Sequence, residues 1–193
     1  LLEAVAMGAD EIYLLTDSAF GGADTLATSY TLSEAIRSLG SFDMIFCGEE
    51  SIDSNTAQVG PQIAAMFGIP DISAAVGLVL DGQKAIVTRR TEEASEVIEA
   101  SLPVLVTASA ALNTPRYPSV MGVMKKWNIK AKIITAADLD ADPARIGLKG
   151  SPTQVRRVRP AAPMKKENMR IEGKPAAEAA ALLVQALGTA NII

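Results

Sequence analysis

Apolar and polar positions follow two alternating spacings along the first half of the chain. The opening residues, 1–10, read as closing helical turns stopped at Gly8, and residues 11–16 (EIYLLT) form a short apolar run of the kind a buried strand makes. Across 25–39, Leu26, Tyr30, Leu32, Ile36 and Leu39 recur at helical spacing, with Gly40 as the stop. Residues 43–48 (DMIFCG) read as another buried strand, and 56–67 (TAQVGPQIAAMF) as a helix that closes at Gly68 ahead of Pro70. Strand, helix, strand, helix with short connections predicts an α/β domain built on an open parallel sheet with helices on both faces.

The middle of the chain changes character. Residues 76–80 and 84–90 are strand-like runs joined by Asp81-Gly82, a hairpin signal. Residues 96–100 add a short strand before Leu102-Pro103, and 104–108 read as a buried strand. Beyond Asp138 the chain turns Pro-rich and locally basic, and residues 145–170 hold Arg145, Lys149, Arg156, Arg157, Arg159, Lys165, Lys166 and Arg170 against Glu167 alone. Residues 175–187, with Leu182, Leu183, Val184 and Leu187, predict a short amphipathic helix. This last region holds too little apolar material for a core. The expected division is an α/β domain over residues 1–140 and an arm with a terminal helix over 141–193, either reaching across a partner chain or lying as a surface tail.

Composition narrows the chemistry. With 49% hydrophobic and 21% charged residues in 193, the chain has the material for a core and is not a disordered sequence. A net charge of −4 gives no global pull toward nucleic acid or an anionic membrane. The longest apolar stretches, such as 102–112, fall well short of the roughly 20 residues of a membrane helix, so a soluble, cytoplasmic protein without membrane insertion is expected. Cys47 is the single cysteine, which excludes an internal disulfide framework and suits a reducing compartment. The absence of histidine removes the usual general base and the commonest zinc ligand, so His-based triads and HExxH sites are excluded. Chemistry must come from a bound cofactor or from carboxylates. The start, without an initiator Met and with no basic segment ahead of a long apolar run, carries no signal peptide and suggests that N-terminal sequence is missing.

Two loops carry the candidate chemistry, and each follows a predicted strand at its carboxyl end, where open α/β sheets bind ligands. The first, 16–25, contains Gly21-Gly22 and ends at a helix cap, Asp24 or Thr25; the second, 48–56, ends at Asn55 or Thr56. Helix starts offer unpaired N–H groups and partial positive charge, which favour a phosphate. Gly21-Gly22 and the small Thr56-Ala57 pair leave room for a ligand, while Asp53, Asn55 and Gln58 are spaced to bond a ribose or an adenine edge. Neither loop matches GxGxxG or GxxxxGK[ST], and on spacing alone the two loops also fit ordinary capped helices. Glu49, Glu50 and Asp53 could in principle hold Mg²⁺ or Ca²⁺, but the calcium-loop spacing is missing, and no metal site is expected. A stand-alone hydrolase or ligase is disfavoured for want of a P-loop, a histidine or a convincing nucleophile; Cys47, inside a predicted strand, reads as core.

The segment 48–61 (GEESIDSNTAQVGP) followed by 112–118 (LNTPRYP) and Met124-Lys125-Lys126 resembles the β subunit of electron transfer flavoproteins. The resemblance runs along essentially the whole chain, from Met7-Gly8-Ala9-Asp10 through Val87-Thr88-Arg89 to the Leu102-Pro103-Val104 strand. It implies a nucleotide-binding domain of the adenine nucleotide alpha-hydrolase-like kind, truncated at its N-terminus relative to family members, which carry earlier sheet strands and more of the nucleotide pocket.

Carried over position by position, the resemblance implies that 48–60 wraps an adenine nucleotide through Gly48, Asp53, Ser54, Asn55, Thr56, Ala57, Gln58 and Val59. In ordinary members that nucleotide is a structural AMP; in electron-bifurcating members it is a second FAD, reduced by NADH. The loop 21–28, with Gly22, Asp24, Thr25 and Thr28, resembles the bifurcating kind, so FAD is the expected cofactor and AMP the alternative. Residues 112–124 correspond to the loop that anchors acyl-CoA dehydrogenase-type partners, with Leu112, Asn113, Pro115, Arg116, Tyr117, Val120 and Met121 as docking residues and Val120 at the anchoring place, where Leu is common. The resemblance further implies a heterodimer with an α subunit and an electron-carrying role, not a stand-alone enzyme. Arg89-Arg90-Thr91-Glu92-Glu93 departs from the family, which places Gly-Gly after a carboxylate there, and that puts the role of this loop in doubt.

Overall fold

Val104–Ala108 shows how the sheet is organised. Val104 and Val106 point to one face and pack with Ile72, Ala75, Ala85 and Val87, while Leu105 points to the other and packs with Ile63 and Ala64. All of these side chains are buried, each contributing about 1.5–3 kcal/mol for the larger ones. The computed structural model describes residues 1–160, 169–190 and 192. The helices are α1 (Leu2–Met7), α2 (Thr25–Leu39), α3 (Val59–Phe67), α4 (Val120–Asn128) and α5 (Ala176–Thr189). The strands are β1 (Tyr13–Leu15), β2 (Met44–Gly48), β3 (Asp71–Asp81), β4 (Lys84–Arg90), β5 (Ser95–Ser101), β6 (Val104–Ala108) and β7 (Lys132–Ile134).

The fold is α/β, and its main sheet is mixed. The order is β2-β6-β3-β4-β5, with β2, β6 and β3 parallel and the β3–β4–β5 meander antiparallel. The expected open parallel sheet is thus present over three strands and extended by the hairpin that Asp81-Gly82 predicts. A second parallel pair, β1 and β7, aligns Tyr13 with Lys132 and Leu15 with Ile134. α3 lies on the main sheet, with Gly60 so close to β6 that a Cβ there would sit 2.6 Å from Thr107 Cγ2. α2 joins the two sheets: Leu32 and Ile36 pack into the α3 cluster, and Ala35 packs with Ile134 and Leu139 behind β1.

α2 spans the predicted residues and begins at Asp24, whose carboxylate accepts from the Leu26 and Ala27 N–H groups. α3 corrects the sequence reading. It starts at Val59 with Gln58 at its cap, so neither Asn55 nor Thr56 caps it, and Gln58 makes no side-chain cap bond. Pro61 explains the late start, because a proline deeper in the helix would clash with the carbonyl four residues back. Asn55 and Ala57 instead adopt φ of 49° and 53°.

Two elements go beyond those expected from the sequence, α4 and β7. Ser119 caps α4 by accepting from the Gly122 N–H, so the final part of the expected docking loop is helical.

The chain divides into two compact units, Leu1–Gln154 and Val155–Ile193. Residues 141–154, read from sequence with the arm, belong to the first unit: the Asp142 N–H donates to Tyr30 Oη and the Asp24 N–H to Ser151 Oγ. The second unit contains α5, which covers the predicted terminal helix. Lys165, Lys166 and Glu167 lie outside the described residues. No helix among the described residues is long and apolar enough to cross a membrane.

Candidate functional site

The loops after β1 and β2 open onto one recess. A cavity of about 640 Å³ is lined by Asp24, Thr25 and Thr28 from the start of α2, by Asp53, Ser54, Thr56, Gln58 and Val59, and by Gln62, Pro152 and Thr153. An adjoining cavity of about 410 Å³ shares Thr28, Ser51, Thr56, Gln58 and Val59 with it and adds Cys47, Gly48, Glu49, Glu50, Ala57 and Ile63. Gly22 and Asn55 line neither. Gly22, at φ 73°, faces the chain's own Leu148, and the Asn55 amide donates to Glu50 Oε1 at 2.8 Å.

The two helix starts differ chemically. At α2 the Asp24 carboxylate takes the first free N–H groups, so that end is already neutralised. At α3 no acceptor among the described residues meets the N–H groups of Thr56, Ala57, Gln58, Val59 or Gly60. Side chains tie the two starts together. The Thr25 hydroxyl donates to Gln58 Oε1 at 3.0 Å, and the Ser29 hydroxyl reaches Gln62 Oε1 at 2.7 Å.

Charge around the recess is negative. Desolvation works to raise the Asp24 pKa, but the N–H groups of Ala27, Thr153 and Leu26 and the Thr153 hydroxyl outweigh it and hold the carboxyl below its usual value. The Ser51 hydroxyl does the same for Asp53, aided by backbone N–H groups. Burial pushes the Cys47 thiol up, away from thiolate reactivity.

The expected docking residues lie at some distance in sequence, and the structure divides them by exposure. Leu112 is half-buried against the main core, while Asn113 and Pro115 are exposed. Arg116 donates through Nε and Nη2 to the Met7 carbonyl at 3.1 and 2.7 Å, so it clamps the end of α1. Tyr117, Val120 and Met121 are 95%, 79% and 74% exposed, on and just before the first turn of α4. The 89–93 turn is closed by Thr91 against Ala94, with Arg89 paired to Glu96 at 2.6 Å.

Sequence reasoning missed Gln62, Pro152 and Thr153. Gln62 was within reach, since it stands one helical turn after Gln58. Thr153 was not, because its partner Asp24 is 129 residues away.

An α/β domain whose recess sits beyond the carboxyl ends of its strands, between two helix starts, defines a class of ligand-holding proteins. Residues 1–139 match the electron transfer flavoprotein domain family. The electron transfer flavoprotein subunit beta of Thermoanaerobacterium thermosaccharolyticum is 53% identical over 156 residues, covering 80% of this chain and 60% of that protein. The subunit beta of Clostridium acetobutylicum is 46% identical over 193 residues, 97% of this chain and 71% of the relative. The caffeyl-CoA reductase-Etf complex subunit CarD of Acetobacterium woodii is 43% identical over 194 residues, 100% of this chain and 73% of the relative. The chain belongs to the electron transfer flavoprotein family, among the relatives of its β subunits, and spans about 60% of the length of the first relative named.

Proposed function

We propose that this chain is the nucleotide-holding and docking part of an electron-carrying β subunit, and that its ligand is FAD. The observation that carries this reading is the row of unpaired N–H groups from Thr56 to Gly60 at the start of α3. Thr56, Gln58 and Val59 of that row line a recess to which Thr25, Gln62, Pro152 and Thr153 also belong. Backbone N–H groups at a helix start suit a diphosphate. The carboxylates of Glu49, Glu50 and Asp53 repel phosphate and suit sugar hydroxyls or an adenine amine. The residues present therefore fit a dinucleotide, with the diphosphate against α3 and not shared equally between two helix starts.

When bound, FAD supplies electron transfer in one- and two-electron steps. The chain's own residues bind and orient. Thr25 holds Gln58 in place, Gln62 and Ser29 brace the α2–α3 contact, and Cys47 stays a neutral thiol. Electrons enter from NADH and leave toward an acyl-CoA dehydrogenase-type partner and a low-potential acceptor, as flavin-based bifurcation requires. The name of the Acetobacterium relative, a subunit of a caffeyl-CoA reductase-Etf complex, supports that direction. The exposed Tyr117, Val120 and Met121 supply the docking surface, and an α subunit carrying the other FAD is the permanent partner, contacted by the arm and α5.

The test is to release and count the nucleotides of the purified heterodimer made with the full-length chain. Two FAD per heterodimer are expected. One FAD with one AMP would replace this reading by a subunit in which AMP is structural and the chain serves as scaffold and docking module.

A further inference from the structure

The segment Gly147 to Thr153 has no explanation in the sequence, and the structure supplies one. Gly147, at φ 55°, lies so close to the loop after β1 that a Cβ there would come within 2.1 Å of the Ala19 carbonyl oxygen. The Leu148 N–H donates to the Gly21 carbonyl, and the Leu148 side chain covers Gly22. Ser151, 7% exposed, accepts from the Asp24 N–H and donates to the Gly147 carbonyl, both at 2.8 Å. The segment thus forms a clasp across the 16–24 loop.

Asp24 joins the clasp to the helix. Its Oδ1 accepts from Leu26 and Ala27 at the start of α2, and its Oδ2 accepts from the Thr153 N–H at 3.0 Å and the Thr153 hydroxyl at 2.8 Å. Four donors occupy this carboxylate, so it has little capacity left for a ligand. Since the Thr153 hydroxyl spends its proton on Asp24, the face it turns to the recess can only accept. Of the other lining residues, Thr56, Gln58 and Val59 bring backbone N–H groups that meet no acceptor among the described residues.

We propose that Asp24 is a positioning residue, not a nucleotide ligand, and that it builds Pro152 and Thr153 into the recess as an acceptor wall for the hydroxyl groups of the bound dinucleotide. The inference rests on the nucleotide reading above and adds a polarity to the site, with phosphate at α3 and sugar or polyol hydroxyls at the clasp. Closing the clasp and filling the recess are then coupled, and by linkage each favours the other.

Asp24→Asn separates the two roles. Asparagine caps a helix as well as aspartate, so Oδ1 continues to serve Leu26 and Ala27. Its amide nitrogen, however, faces the Thr153 N–H donor to donor, which opens the clasp. In the full-length assembled protein, stripped of nucleotide and titrated with FAD, Asp24→Asn is expected to weaken one class of FAD site by about tenfold. Helix content should not change. Hydrogen exchange of the 145–153 peptide should slow when FAD binds to the parent protein, and should be fast and insensitive to FAD in Asp24→Asn. Unchanged FAD affinity in Asp24→Asn, or exchange in the parent protein that ignores FAD, overturns the proposal and leaves the nucleotide reading standing. A parent protein that binds FAD at one class of site only, the same in Asp24→Asn, overturns both.

Discussion

Ala57 has a backbone that an L-residue seldom adopts, at φ 53°, two residues after Asn55 at φ 49°. A left-handed alanine costs about 1–2 kcal/mol, and such strain persists only where its surroundings hold it. The two left-handed residues flank Thr56 just ahead of α3, where the N–H groups of 56–60 meet no acceptor among the described residues. Ala57→Val adds a β-branched side chain to the same conformation. It is expected to destabilise the protein by about 1–2 kcal/mol in urea denaturation and to lower the bound nucleotide content. Ala57→Gly removes the strain but loosens the unfolded chain, so its effect should stay within about 1 kcal/mol, on the stabilising side, with nucleotide retained. A destabilised Ala57→Gly would show that the methyl group is packed and the backbone unstrained.

Between elements, the firmest polar joint is the clasp on α2, and it depends on a carboxylate. Because the pKa of Asp24 is lower folded than unfolded, its contribution is fully present above the unfolded value of about 3.9 and is lost as pH falls through the folded value. Protection of the clasp amides is therefore expected to be flat from neutral pH to about pH 4 and to fall below it; a loss already under way at pH 6 would assign the joint to another group. How far such joints were legible depends on sequence distance. α2 was read to its ends because fifteen residues carry a full apolar stripe closed by Gly40. α3 starts three residues later than the periodicity predicts, because Pro61 is tolerated only in the first turn of a helix. α4 carries apolar residues at helical spacing, Val120, Val123, Met124 and Trp127, but it is short and follows directly on the proline-rich 112–118 stretch, which reads as a loop. β7 has three residues and is a strand only because β1 pairs with it. The cavity-lining loops were legible from their place after β1 and β2, while Pro152 and Thr153 come from a segment whose partners lie over a hundred residues earlier.

At the scale of the whole molecule, the recess proposed to hold a nucleotide and the surface proposed to meet a redox partner lie in different regions of the first unit. The recess is built by α2, α3 and the clasp, whereas Tyr117, Val120 and Met121 project from the first turn of α4 and the residues before it. That turn is fixed from behind: Arg116 grips the Met7 carbonyl, Lys126 pairs with Glu3 at 2.9 Å, and Gly122 lies so near α1 that a Cβ would fall 2.1 Å from the Ala6 carbonyl oxygen. A surface held this rigidly loses little entropy on docking, which is how exposed apolar side chains become strong anchors. Val120→Asp tests the separation with little risk to folding. The side chain is 79% exposed, and an acidic residue just after the Ser119 cap is favoured by the helix dipole. Stability should change by less than about 0.5 kcal/mol, and flavin reduction by NADH should be unaffected. Electron delivery to an acyl-CoA dehydrogenase-type partner should fall by about thirtyfold or more in kcat/KM, the effect of losing a docking anchor worth about 2 kcal/mol. Delivery at the parent rate would remove Val120 from the docking surface. A fall in flavin reduction alongside delivery would show that the two regions are coupled and that a charge on α4 reaches the recess.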